Sequence, residues 1–332
     1  MSEDLHLTLA CGDCDRTDAL RDGSVKAEGI ALNCLRLDVE EIFFRTVRFA
    51  EFDVAELSLS SYLLTMGDEG FERFVAIPVF PSRAFRHSSI YVSAASGLER
   101  PEDLVGRTVG LAEYQLTANV WIRGILADRH NVPVNSVRYR TGGLHQAGRQ
   151  EKLPIDLPPD IQIEPIPLGR TLSEMLAAGE IDAVYSPRTP HSMRTSPHLV
   201  RRLFDDVREA ETQYFRETGI FPIMHTVVIR RDVYEKNRWV ARSLQKAFER
   251  ARDAAWAGMD ETASLRYMLP WLPQHVEDTV TALGPDYWPY GVARNAAALD
   301  TLVRYSHEQG LARRRYAVEE LFAPETLIET LI

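Results

Sequence analysis

The chain has 332 residues, 45% hydrophobic and 26% charged, a composition that excludes disordered, collagen-like and disulfide-scaffold proteins. Its 38 Lys and Arg stand against 48 Asp and Glu, a net charge of −10 that argues against wholesale binding to nucleic acid or anionic lipid and leaves small-molecule chemistry as the default. The length suits two domains, and no apolar run approaches the ~20 residues of a membrane-spanning helix.

Met1-Ser2-Glu3-Asp4-Leu5-His6 lacks the basic start and apolar stretch of a secretory signal, so a cytoplasmic location is expected. Residues 5–10 run apolar to Gly12 as a strand should, and residues 30–35 offer a second strand after Gly29. Val39, Ile42, Phe43 and Val47 then recur at helical spacing. Strand and helix alternate, which predicts an α/β sheet.

A quasi-repeat organises the middle of the chain. Phe43…Val47…Glu51-Phe52-Asp53-Val54-Ala55 returns 129 positions on as Leu172…Leu176…Glu180-Ile181-Asp182-Ala183-Val184. Both copies read as helix, tight turn, strand. Polar groups follow each strand: Ser58, Ser60 and Ser61 in the first copy, Ser186, Arg188 and Thr189 in the second. Two similar α/β lobes facing one cleft would show this pattern, because open α/β sheets bind ligands outside the carboxyl ends of their strands.

Between the copies, residues 74–80 and 90–92 read as strands flanking the basic turn 81–87, a first crossing between lobes. Residues 141–167, rich in Gly and Pro, predict a long ordered loop or a lobe-surface insertion. A second crossing is expected at 219–225, then a strand at 226–229 and a helix near Asp232. Val240, Leu244, Ala247, Phe248, Ala251 and Ala255 share one helical face, as do Val292, Leu299, Leu302 and Val303 after the break at Pro270 to Pro273. The expected organisation is therefore a discontinuous lobe one, residues 1–89 plus 223–332 with C-terminal helices, and a lobe two of residues 90–222.

Familiar site motifs are missing. Cys11-Gly12-Asp13-Cys14 has no second Cys pair or suitably spaced His, and Cys11, Cys14 and Cys34 are expected as free thiols. The nine histidines form no metal-binding motif, and neither a Gly-x-Gly-x-x-Gly, a phosphate loop nor a Gly-x-Ser-x-Gly elbow occurs. The expected site has no metal and no cofactor, with an assisting divalent ion left open. What remains is an anion-recognition pattern. Arg83, Arg86 and His87 occupy the first crossing, His225 the second, Arg16 the first loop and Arg188 the end of the second repeat. Singly, each arginine reads as surface charge; their placement at strand ends and crossings favours a common cleft for Arg83, Arg86 and Arg188. Tyr114-Gln115-Leu116-Thr117 precedes a helical pattern whose free N–H groups could hold a carboxylate, with Thr117 as a plain N-cap the competing reading. Asp13 is read either as facing the cleft or as capping the helix that follows it.

Residues 80–88, the stretch Glu113-Tyr114-Gln115-Leu116-Thr117-Ala118, residues 219–225 and Trp288-Pro289-Tyr290-Gly291 resemble the 4,5-dihydroxyphthalate decarboxylase family over nearly the whole chain. The resemblance implies a two-lobed fold of the type II periplasmic-binding-protein kind, with a ligand cleft between lobes. It also implies non-oxidative loss of a ring carboxylate in aromatic catabolism, from 4,5-dihydroxyphthalate to protocatechuate and CO2. On that basis Arg83, Arg86 and Arg188 are expected to take carboxylates, helped by Arg16. Ser60, Ser61, Tyr114, Gln115 and Thr117 would orient the ring, Asp13 and Glu56 would engage the catechol hydroxyls, and His87 or His225 would donate the proton, since histidine titrates near neutrality. The expected partner is a small aromatic carboxylate, not nucleic acid or membrane, and homo-oligomerisation stays open. The competing class is a solute-binding protein for an aromatic carboxylate on the same scaffold. A biosynthetic enzyme of the kind used in thiamine-pyrimidine synthesis is a third, disfavoured because no His-rich or Cys-rich site is present.

Overall fold

The computed structural model describes residues 4–66, 72–259 and 261–327; Met1 to Glu3, on which the expectation of a cytoplasmic location rests, lie outside them. Eleven strands are described: β1 (Leu5–Cys11), β2 (Ile30–Arg36), β3 (Val54–Ser58), β4 (Phe74–Ile77), β5 (Ile90–Ser93), β6 (Thr108–Leu111), β7 (Arg138–Thr141), β8 (Ile163–Pro165), β9 (Ala183–Tyr185), β10 (Val200–Arg202) and β11 (His225–Arg230). They build two sheets, ordered β2-β1-β3-β11-β4 and β10-β5-β9-β6-β7-β8. The described chain divides into two compact units. Unit 1 holds residues up to Arg83, Ile223–Asp300 and the chain from Tyr316, and unit 2 holds Ala84–Pro222 and Thr301–Arg315.

In unit 1, β1 runs parallel to β2 and β3, and β11 is antiparallel to β3 and β4. All five residues of β3 are buried, as expected of a central strand covered on both faces. Helix Val39–Phe49 leads into it and buries Ile42, Phe43 and Val47, the stripe its spacing predicted. Helix Trp239–Ala257 buries the expected face from Val240 to Ala255. Pro273 opens helix Leu272–Leu283 from its first turn rather than breaking one, because a proline there sacrifices no helical hydrogen bond.

Unit 2 repeats the plan. Helix Leu172–Ala177 precedes β9, which is parallel to β6 and antiparallel to β5. The repeat is structural: Asp53 accepts the Thr8 N–H on neighbouring β1 at 2.8 Å, and Asp182 accepts the Thr108 N–H on neighbouring β6 at 2.8 Å. The same aspartate does the same work in each copy. Residues 141–167 form the expected loop apart from Thr141, which ends β7, and the short β8.

Two boundaries differ from expectation. The first crossing falls at Arg83/Ala84, inside the expected turn 81–87 but ahead of the lobe boundary drawn after residue 89, and Thr301–Arg315 groups with unit 2. The reason for the second is packing on helix Thr117–His130. Gly124 leaves room for the Tyr305 ring, where a Cβ would lie 2.2 Å from it; Trp121 meets that ring edge-on, and the Tyr305 hydroxyl donates to Asp128 at 2.7 Å. Arg123, buried in the same helix, donates to Gln309 at 2.8 Å.

Candidate active site

In unit 1 the antiparallel register pairs Val227 with Glu56 and His225 with Ser58. Glu56 and His225 are therefore diagonal neighbours on one face of the sheet, within reach of each other. His225 Nδ1 lies 2.6 Å from Glu56 Oε1, and the Gly12 N–H donates to Glu56 Oε2 at 2.8 Å. The approach needs a glycine: a Cβ on residue 12 would lie 2.6 Å from Val39 Cγ1 and 3.2 Å from Glu56 Oε2. The Phe43 ring stands edge-on to the imidazole at 4.7 Å.

Burial alone would push the Glu56 carboxyl up, but the hydrogen bond and charge of His225, then the Gly12 N–H and Arg16, outweigh it and hold the group below the usual carboxylate range. Glu56 is a buried anion. His225 keeps 17% of its side-chain surface open, so with Nδ1 committed to Glu56 its Nε2 edge is the one left for chemistry.

The carboxyl end of β1 leads into helix Asp15–Arg21, where Arg16 donates from Nε to Pro81 O and stacks 4.5 Å from the Trp288 ring centroid. Trp288 in turn donates to Phe80 O at 3.0 Å. Arg83 is buried and donates to Pro289 O at 2.8 Å and to the Asn295 side-chain carbonyl. Loss of solvent lowers its pKa to about 9. Ser60 and Ser61 are fully buried in helix Leu59–Thr65, whose N-cap Ser58 accepts from the Ser61 N–H. Asp13 stands apart from this group. It is half exposed in ion pairs with Arg21 and Arg36, and Cys14 rather than Asp13 takes the N-cap position of the next helix.

The other nominated residues belong to unit 2, and several are occupied there. His87 is buried against Phe204 and Tyr214 and lines a cavity of about 370 Å³ with Arg129, His130 and Glu217. Burial, then the charge of His130, pushes its pKa down to about 4, which makes it neutral near pH 7 and a poor proton donor. Arg86 is half-buried near Glu211, and loss of solvent lowers its pKa to about 10. Arg188 is exposed just beyond β9, its N–H held by Ser186 Oγ at 3.1 Å.

Tyr114 is interior: its hydroxyl donates to Gln309 O at 3.1 Å, and the Arg123 guanidinium lies 3.7 Å from its ring centroid. Leu116, not Thr117, is the N-cap of helix Thr117–His130. A carboxylate does sit at this turn, but it is the chain's own and it is held ahead of the helix start rather than by the helix N–H groups. Glu151 accepts the Tyr114 N–H, and Gln115 Nε2 donates to it at 2.9 Å and to Leu153 O at 2.9 Å. Beside it the buried Glu113 accepts from Arg149 at 2.6 Å and Lys152 Nζ at 2.6 Å. Sequence reading missed Glu151 because a glutamate inside a Gly- and Pro-rich loop has no periodicity to mark it. Gly12 was legible only as the end of a strand. Among the described residues no group of three or more His, Cys, Asp or Glu side chains is placed to hold a metal ion.

No protein-family model matches the chain. It is 39% identical over 323 residues to 4,5-dihydroxyphthalate decarboxylase of Comamonas testosteroni, covering 97% of this chain and 98% of that one. This chain belongs to the 4,5-dihydroxyphthalate decarboxylase family. The decarboxylase of that name from Pseudomonas putida is 43% identical over 212 residues, 64% of this chain and 82% of that one. Among solved structures the family fold matches the sulfonate-binding protein SsuA of Methylobacillus flagellatus, with a TM-score of 0.55, 13% identity and 98% and 94% of the two chains covered. SsuA of Escherichia coli gives 0.53 at 12% identity, with 98% and 99% covered. At such identities the likeness shows the fold alone, the two-unit α/β architecture of periplasmic binding proteins. No helix among the described residues is long and apolar enough to cross a membrane.

Proposed function

We propose that the protein removes one ring carboxylate from 4,5-dihydroxyphthalate without oxidation, yielding protocatechuate and CO2. The observation that carries this reading is the 39% identity along nearly the whole length of the Comamonas testosteroni decarboxylase. The Glu56–His225 pair supplies chemistry that the reaction needs. A hydroxyl para to the departing carboxylate pushes electron density toward the ipso carbon, which takes a proton from the Nε2–H of the His225 imidazolium. The bond from that carbon to the carboxylate then breaks and its electron pair returns to the ring. CO2 leaves, aromaticity is restored, and the imidazole takes a new proton from solvent.

Glu56 stays anionic and fixes the imidazole through Nδ1, while the Gly12 N–H fixes Glu56. Arg16 and Arg83 supply charge for the carboxylates; a guanidinium whose charge burial disfavours gains from an incoming anion. In this reading no organic cofactor takes part, the enzyme is cytoplasmic, and its partner is the small aromatic acid.

The test mixes EDTA-treated protein with 4,5-dihydroxyphthalate, with and without added divalent ion, and follows CO2 and protocatechuate. Turnover without metal supports the proposal; turnover only with metal adds an ion to it. Saturable binding without product replaces it with the solute-binding reading, and no binding overturns it.

A further inference from the structure

Tyr290 is a buried polar group that the reaction above leaves unused. Its side chain is 1% exposed, and its hydroxyl, shut off from solvent, has no hydrogen-bond partner among the described residues. Buried tyrosine hydroxyls usually find one. The residue is nevertheless held firmly. Asn295 Nδ2 donates to Pro289 O at 3.0 Å and to Gly291 O at 2.7 Å, and the Gly291 N–H donates to Pro78 O at 2.8 Å, so the turn is pinned on both sides of the tyrosine. The Arg252 guanidinium lies 5.0 Å from the ring centroid, and Phe80 meets the ring edge-on at 6.5 Å.

The surroundings select what the hydroxyl can meet. It lies within the electrostatic reach of Arg16, of the Cys14 thiol, and of Arg252 and Arg83, and Arg83 donates to the carbonyl of the residue directly before it. Guanidiniums only donate, so they offer a phenol hydroxyl no acceptor. A rigid O–H among cations is complementary to an anionic oxygen, and a carboxylate carries two such oxygens, enough to take a guanidinium and a hydroxyl together. Ser61 Oγ, also buried without a partner, belongs to the same unit.

We propose that the Tyr290 hydroxyl is a substrate contact, donating to a carboxylate of the bound aromatic acid alongside Arg16 and Arg83. The inference rests on the aromatic-carboxylate reading of the preceding subsection and adds a specificity-determining residue to it. Tyr290 rewards a carboxylate at its position, whereas an aromatic ligand without one leaves the hydroxyl unmet.

The test is Tyr290→Phe in the full chain, which keeps the ring and removes one oxygen. Binding of phthalate, which carries the two carboxylates but no hydroxyls, is measured by calorimetry, together with the melting temperature of the unliganded protein. The expected result is phthalate binding weakened about ten- to a hundredfold, from the loss of a hydrogen bond to a charged group. The unliganded melting temperature should stay level or rise, because an unsatisfied buried hydroxyl has gone. An unchanged phthalate affinity overturns the inference, as an ordered water satisfying the hydroxyl would produce. Weaker binding together with a lowered melting temperature also overturns it, since a structural role accounts for both. Wild-type protein that binds phthalate but forms no protocatechuate from 4,5-dihydroxyphthalate defeats the decarboxylase reading and leaves this comparison standing. Normal turnover with an unchanged affinity in Tyr290→Phe defeats only the inference, as does wild-type protein that turns over 4,5-dihydroxyphthalate but binds no phthalate, whereas wild-type protein that neither binds phthalate nor forms protocatechuate defeats both.

Discussion

Glu56→Gln keeps the shape of the side chain while removing its charge and one acceptor. In the wild type Oε2 takes the Gly12 N–H at 2.8 Å and Oε1 faces His225 Nδ1 at 2.6 Å. A glutamine has one oxygen for these two donors. If that oxygen keeps Gly12, the amide nitrogen faces Nδ1 and forces the proton of a neutral imidazole onto Nε2; if it keeps Nδ1–H, the buried Gly12 N–H is unmet. Either way the imidazolium loses its anion. A hydrogen bond to a charged group is worth about 1.5–3 kcal/mol, which corresponds to a fall in kcat of about ten- to 150-fold. Because Glu56 is held below the usual carboxylate range, it contributes stability that is present above its unfolded pKa and lost as pH falls through the lower folded value. The Glu56→Gln protein lacks that acid-side loss. The assay is protocatechuate formation across about pH 5–9, with a melting curve at each pH. Wild-type kcat with an unchanged pH profile in Glu56→Gln refutes the assignment of Glu56 and His225 to proton transfer.

His87→Gln is expected to leave kcat unchanged, because the native ring is neutral near pH 7 with its pKa at about 4. Its folded pKa lies below the unfolded value of about 6.5, so the unfolded state binds the proton first, and ~3 kcal/mol of stability is lost as pH falls from about 6.5 to about 4. The variant should show a flatter acid limb in melting temperature; an identical limb refutes this. Glu113→Gln strands the buried Lys152 charge and the half-buried Arg149 charge and should cost about 3–5 kcal/mol by denaturant midpoint, with Glu113→Gln/Lys152→Met recovering part of it. A loss below about 1 kcal/mol would mean that the network is solvent-screened.

The elements were legible in the sequence because hydrophobic periodicity is local. The stripe of Ile42, Phe43 and Val47 and the apolar run of β3 need no partner to be recognised. The repeat was equally visible, and Asp53 and Asp182 show that it encodes one structural device used twice. The motifs around residues 80–88 and 219–225 also sufficed to mark the family, because long runs of matched residues carry ancestry without geometry.

What the tertiary structure alone decided is which side chains meet. Glu56 and His225 are 169 residues apart, and only the antiparallel register of β3 and β11 makes them diagonal neighbours. Asp13 looked equally suited to the site but is drawn into surface pairs by Arg21 and Arg36. His87 and His225 were equivalent as letters. Burial beside His130 neutralises one, while a buried carboxylate orients the other. Register, burial and charge environment are set by residues distant in the chain, so no local pattern could have ranked them.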